Sequence, residues 1–122
     1  MQSPEKHILL VEDEATTREI ITYALRGEGY GVDSVANASA ATTCLNSVRY
    51  ALVIADWLLP DGNGLDIADT ALEAGTKTLI ISGVVSALAA GIDRHEFLSK
   101  PVGPLDILSA VRRAIGSPTG EP

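Results

Sequence analysis

The sequence predicts an α/β domain: a doubly wound parallel sheet with helices on both faces. Three observations carry this. Short Val-, Ile- and Leu-rich runs alternate with longer amphipathic stretches. Most of the short runs are continuously apolar, as strands buried on both faces must be. The chain has 122 residues, 46% of them hydrophobic and only 4% aromatic, which suits one domain with a core of Ala, Val, Ile and Leu.

Each element follows in turn. Residues 7–12 form a first strand that runs into acids. Residues 15–28 form a helix with Ile20, Ile21, Ala24 and Leu25 on one face, broken by Gly27, Gly29 and Gly31. Residues 31–36 alternate as a second strand. Asn37 or Ser39 caps a helix reaching Arg49, with Ala41, Leu45 and Val48 inward. Residues 51–56 are a third strand ending in Asp56. Residues 59–64 read as loop, and 65–74 as a helix closed by Gly75. Residues 77–82 are a fourth strand ending in Ser82, and 96–100 a short fifth ending in Lys100. Pro104 suits the first turn of a last helix running to Ile115, with Leu105, Leu108, Val111 and Ile115 inward. Tails of 1–6 and 117–122 flank a domain over 7–116, and the chain from Gly116 onward reads as frayed. Five strands are too few for two full Rossmann halves, so the expected order is the flavodoxin-like 2-1-3-4-5.

Composition excludes several functions. Acids outnumber bases 16 to 9, with a net charge of −7 and a pI near 4.6. That argues against nucleic acid, which needs a basic face, and against an anionic membrane surface. One cysteine, Cys44, excludes a disulfide framework and a cysteine-rich zinc site. No apolar run is long enough for a membrane span, and the first residues carry no signal-peptide core, so the expected location is the cytoplasm. No Gly-rich phosphate loop follows the first strand, which argues against nucleotide binding.

In open α/β sheets, ligands bind outside the carboxyl ends of the strands. Those ends gather Glu12-Asp13-Glu14, Asp56, Ser82 and Lys100. In the expected order, Asp13 and Asp56 are neighbours. Two carboxylates ~4 Å apart repel by ~4 kcal/mol at an effective dielectric of ~20, so a proton or a cation must sit between them. Hard oxygen ligands with room for water suit Mg²⁺. Lys100 can hold an anion beside Asp56, and the Ser82 hydroxyl can donate to it. Such a setting stabilises negative oxygens in phosphoryl transfer, for which a carboxylate is an able nucleophile.

At these residues the chain resembles a response-regulator receiver domain of two-component signalling, across about residues 6–116. The motifs are Glu12-Asp13, Asp56 followed by Pro60 and Gly64, Ser82-Gly83 and Lys100-Pro101. The resemblance implies that Asp56 accepts a phosphoryl group from a histidine kinase or phosphotransfer protein, then presents a changed surface to a downstream protein. It implies Mg²⁺ held by Asp13, Asp56 and the backbone carbonyl of Leu58, with Glu12 acting through water. Lys100 would pair with Asp56 and then with the phosphoryl oxygen. Ser82 would move to the phosphoryl group, with Phe97 as the switch aromatic. The protein would be a signalling protein rather than an enzyme, catalysing its own aspartyl phosphorylation and dephosphorylation.

The chain departs from the family pattern in places. Phe97 stands where tyrosine is common; its ring either turns inward with Ser82 or simply fills the core. The stretch from Ser82 to Lys100 is several residues short, leaving a fourth helix that is brief or irregular over 84–90 and placing its use for output or dimerisation in doubt. Leu58 and Val84 flank the expected water path with apolar side chains, which predicts slow self-dephosphorylation. Trp57 is a kinase contact or a plain surface aromatic. Cys44 faces the core, His7 and His95 are structural or surface residues, and Arg112 and Arg113 suit the last helix dipole. The chain ends after that helix, so no output domain is expected within it; it is a stand-alone regulator, a relay or a fragment. The competing readings are a phosphorylation-independent pseudo-receiver, an Asp-nucleophile phosphohydrolase, which lacks a general acid and cap, and a flavodoxin-like electron carrier, which lacks a phosphate loop.

Overall fold

The apolar runs pair side by side, as strands buried on both faces must. The computed structural model describes residues 6–83 and 95–118. In chain order its elements are β1 (His7–Val11), α1 (Ala15–Glu28), β2 (Gly31–Val35), α2 (Ala38–Ser47), β3 (Leu52–Asp56), β4 (Leu58–Leu59), β5 (Gly62–Asn63), α3 (Gly64–Glu73), β6 (Lys77–Ser82), β7 (Glu96–Ser99) and α4 (Pro104–Ile115). The main sheet is wholly parallel and ordered β2-β1-β3-β6-β7. With the two-residue strands β4 and β5 set aside, this is the expected 2-1-3-4-5 order. The short helix expected over 84–90, and Val84 within it, lie outside the described residues.

Side-chain alternation splits the strands between two apolar layers. Ile8, Leu10, Leu52, Ile54, Leu79 and Ile81 pack against Ile21 and Leu25 of α1 and Ile107, Ala110 and Val111 of α4. Leu9, Val11, Val53 and Ala55 pack on the other face against Ala41 of α2 and Ile67 and Ala71 of α3. Cys44 is half-buried against that second layer, as expected.

Three residues expected inward are not. Ile20 is 49% exposed, Val48 37% and Leu105 78%. The buried stripe of α4 runs through Ile107, Ala110 and Val111, and Leu105 stands ~200° around the helix from Ile107. The sheet selects which apolar positions it covers, and periodicity alone admitted too wide a stripe.

Local hydrogen bonds refine the helix ends. Asn37, not Ser39, caps α2, its Oδ1 accepting from Ala40 N at 2.8 Å. The expected loop over 59–64 is a small hairpin in which Leu58 pairs with Asn63 and Leu59 with Gly62. The hairpin's Asp61 accepts from Ala38 N at 2.7 Å and Ser39 N at 3.0 Å, which seats it on the N-terminus of α2. These two bonds hold the Asp61 carboxyl below its usual range. Gly64 rather than Leu65 opens α3, with Asn63 Oδ1 accepting from Asp66 N at 3.0 Å.

The expected tails are tied down where they are described. Lys6 O accepts from Gly31 N at 2.9 Å, and Lys6 Nζ donates to Ile115 O. Tyr30 donates its hydroxyl to Gly116 O at 2.7 Å, so the chain is not frayed from Gly116. Among the described residues, no helix is long and apolar enough to cross a membrane.

Candidate functional site

The strand order brings the predicted residues to one edge. β1 and β3 are neighbours with Val11 opposite Ala55, so the acids that follow β1 arrive beside Asp56. Glu12, Asp13 and Asp56 each offer one carboxylate oxygen within 4.8 Å of the others. Glu12 and Asp56 are buried and Asp13 is exposed. Ser82 is buried at the end of β6, opposite Ser99. Lys100 N donates to Ser82 O at 2.8 Å, which fixes where the lysine leaves β7. Its Nζ lies 2.9 Å from Asp56 Oδ2 and 3.3 Å from Glu12 Oε1.

The electrostatics follow from burial. Desolvation raises the Glu12 carboxyl above its usual range; the Glu14 amide opposes this, the Asp56 charge adds to it and Lys100 offsets part of it. Burial pulls the Lys100 ammonium down, but the hydrogen bond and charge of Asp56 and the charge of Glu12 outweigh it, and its pKa is raised. Lys100 is therefore a permanent cation at neutral pH. Three carboxylates face one ammonium.

That imbalance tests whether a cation fits. Glu12 Oε2 accepts from Glu14 N at 3.1 Å. Its Oε1 is buried with no hydrogen-bond partner among the described residues, and meets Lys100 only as an ion contact. A buried oxygen of this kind needs a compensating partner. The donor set is all oxygen, with one exposed carboxylate that leaves room for water, and this suits Mg²⁺.

Glycine at position 64 is a spatial requirement. A Cβ there would stand 2.0 Å from Asp56 O. Gly64 N donates to Trp57 O at 2.8 Å, and Trp57 N to Ile81 O at 2.8 Å, so the chain after Asp56 is clamped on both sides. Leu58 follows with a 59% exposed side chain, and Trp57 is half-buried. Phe97 is half-buried on β7, and the register puts it on the same sheet face as Ser82.

Other features were not legible as site residues. Arg18 of α1 reaches back to the acid turn, its Nη1 donating to Glu12 O at 2.9 Å. His95 is buried, with Nδ1 2.5 Å from Thr78 Oγ1 and Nε2 2.7 Å from Asp69 Oδ1. It ties the start of β7 to β6 and α3, the structural role expected of it. The only hint in sequence was a hydroxyl inside an apolar strand, which must find a partner. His7 Nε2 lies 3.3 Å from Asp33 Oδ2, and Tyr50 donates its hydroxyl to the same oxygen at 2.7 Å. The Tyr50 bond leads in holding the Asp33 carboxyl below its usual range. Both histidines stand at the N-terminal edge of the sheet, away from the acids. Arg112 pairs with Glu28 at 3.2 Å and Arg113 with Glu96 at 2.6 Å, on the surface.

Comparison with known proteins agrees with this geometry. The DNA-binding response regulator MtrA of Mycobacterium tuberculosis is 29% identical over 129 residues, covering 100% of this chain and 56% of MtrA. The transcriptional regulator NtrC of Azospirillum brasilense is 29% identical over 118 residues, covering 92% of this chain and 24% of NtrC. The chain thus spans about half or less of these relatives. Among solved structures, a CheY-like receiver domain protein of Methanospirillum hungatei superposes with a TM-score of 0.78 at 29% identity, covering 90% of this chain and 93% of that one. The Thermotoga maritima regulator TrrA, solved in complex with Mg²⁺-BeF, gives 0.81 at 26% identity, covering 89% and 98%. Chemotaxis regulator CheY4 of Vibrio cholerae, at 20% identity and 0.82, over 91% and 99%, shares the fold. The family description "response regulator receiver domain" matches residues 8–112, which take in every strand of the main sheet from its second residue and all the acids above, and the chain belongs to that family.

Proposed function

We propose that the chain is a phosphoacceptor of a two-component phosphorelay, with Asp56 taking a phosphoryl group from a phosphohistidine on a histidine kinase or phosphotransfer protein. The observation that carries this is the Lys100 ammonium 2.9 Å from an Asp56 oxygen within a three-carboxylate cluster. An Asp56 oxygen forms the bond to phosphorus as the donor's P–N bond breaks. The leaving ring nitrogen keeps the electron pair and takes a proton. Lys100 then faces the phosphoryl oxygen in place of the free carboxylate, and the Ser82 hydroxyl donates to it. Asp13, Asp56 and the Leu58 carbonyl would hold Mg²⁺, with Glu12 acting through a bound water. The ion's contribution is to neutralise charge on the transferring group. That TrrA was solved with Mg²⁺-BeF supports a Mg²⁺ site here by analogy.

Movement of Ser82 toward the phosphoryl group, followed by Phe97 on the same sheet face, would change the surface offered to a downstream protein. Neither nucleic acid nor membrane is a partner of this acidic domain, and the cytoplasm is its proposed location. The domain also loses its phosphoryl group by its own slow hydrolysis.

The test is direct. Incubate the protein with Mg²⁺ and acetyl phosphate, then weigh the intact chain. One base-labile phosphoryl adduct is expected, absent from Asp56→Asn and absent with EDTA. No adduct on the natural chain would favour a phosphorylation-independent interaction module, and an undiminished adduct on Asp56→Asn would place the acceptor elsewhere.

A further inference from the structure

Arg18 lies in the first turn of α1, and its guanidinium turns back over the helix start. Nη1 donates to Glu12 O at 2.9 Å and lies 3.4 Å from Asp13 O. These are the backbone carbonyls of the two acids that converge on Asp56. The Asp13 carboxylate is exposed and has no hydrogen bond of its own among the described residues. Its Cα–Cβ bond is therefore aimed by the backbone alone. Three contacts hold that backbone: Glu12 N donates to Val35 O at 3.0 Å, Glu14 N to Glu12 Oε2 at 3.1 Å, and Arg18 clasps the two carbonyls. Of these, the Glu14 N–H bond and the Arg18 contact hold the two sides of one peptide, the link from Asp13 to Glu14, and Arg18 alone ties it to α1.

Charge and position pull in opposite directions here. A fixed positive charge beside the acids repels a divalent cation, so on charge alone Arg18 weakens cation binding. A guanidinium Nη1 bridging consecutive carbonyls strengthens it, by aiming the carboxylates that bind. Groups that orient ligands in this way typically govern affinity as strongly as a weak ligand does.

We infer that Arg18 is a positioning residue that aims Glu12 and Asp13 at Asp56 and thereby sets the cation affinity of the site. The inference rests on the Mg²⁺ reading proposed above. The sign of one measurement separates position from charge. Titrate MgCl₂ calorimetrically into the natural chain, Arg18→Ala and Arg18→Gln, none of them phosphorylated. Arg18→Ala is expected to bind Mg²⁺ about tenfold more weakly. Arg18→Gln keeps an N–H donor and discards the charge, so it should recover part of that loss while staying weaker than the natural chain. In metal-free protein, amide exchange at Glu14, whose N–H is bonded to Glu12 Oε2, should quicken in Arg18→Ala, with β3 unchanged. Equal or tighter Mg²⁺ binding by the variants overturns the inference, because that is the result of removing a repelling charge alone. Should Arg18→Ala not fold, Arg18→Gln decides by the same sign. Absence of Mg²⁺ binding by the natural chain would instead overturn the reading on which the inference rests.

Discussion

A methyl group added at Gly64 probes fold and site together. Gly64 is not among the glycines with positive φ, which are Gly29, Gly75 and Gly116, so alanine costs no backbone strain there. The cost is space. The new Cβ would stand 2.0 Å from Asp56 O, 2.8 Å from Asp56 C and 3.1 Å from Ala55 Cβ. Relief requires the start of α3 and the end of β3 to part by about an ångström. Neither moves freely, because β3 is buried along its whole length and Gly64 N is bonded to Trp57 O. Overpacking costs about 1–3 kcal/mol, and a clash against backbone belongs at the upper end. At roughly 3–5 °C per kcal/mol for a domain of this size, Gly64→Ala should melt about 10 °C lower. If the parting falls on Asp56, its separation from Lys100 changes, and a misplacement of about 1 Å slows phosphorylation on the order of a hundredfold. Gly62→Ala is the control, since its Cβ would meet only Ala38 Cβ at 3.5 Å, an ordinary contact. Thermal melts and the rate of adduct formation from acetyl phosphate give both readings. A Gly64→Ala protein that melts and reacts like the natural chain would refute this account of the turn.

Three further outcomes can be checked. Because the folded protein raises the Glu12 pKa above its ordinary 4.5, it holds a proton that the unfolded chain releases; that stability is full below 4.5 and is lost as pH rises through the raised value. In EDTA, Glu12→Gln should therefore melt above the natural chain at pH 7, with the gap closing as pH falls toward 4.5, and a gap that widens instead would contradict the argument. His95→Leu leaves the Thr78 hydroxyl buried without its partner and should cost about 1–3 kcal/mol in urea unfolding. Adding Thr78→Val to that variant should restore part of the loss, whereas simple additivity would show that the pair is uncoupled. Exchanging Leu58 and Val84 for polar residues should speed phosphate loss from the isolated phosphoprotein, and an unchanged rate would count against a role for their apolar side chains in slowing hydrolysis.

Much of the site was legible because each reactive residue ends an apolar run. Asp56, Ser82 and Lys100 mark strand ends simply by where the hydrophobic residues stop. Sheet order then follows from strand number, and with it the approach of Glu12 and Asp13 to Asp56. Helix faces were less legible. Ile20, Val48 and Leu105 sit at plausible apolar spacings yet are exposed, because spacing records that a stripe exists and not which part of it the sheet covers. The β4–β5 hairpin escaped notice since two-residue strands carry no periodicity at all.

The division between sequence and structure is therefore physical. Residue type and spacing alone determined a parallel α/β sheet, an acidic carboxyl edge and the acid, hydroxyl and amine gathered there, because burial and charge are properties that each segment carries with it. Contacts between segments distant in the chain were decided only by the tertiary structure. Lys6 bonds to residue 115, Asp61 caps a helix that begins 23 residues earlier, and His95 joins Asp69 to Thr78. The clasp of Arg18 on the acid turn is the nearest such case in sequence, and it too depends on where α1 leaves β1. The chain's formal charge of −7 was countable from the start; that three of its carboxylates meet within 4.8 Å of one another was settled by the packing of β1 against β3.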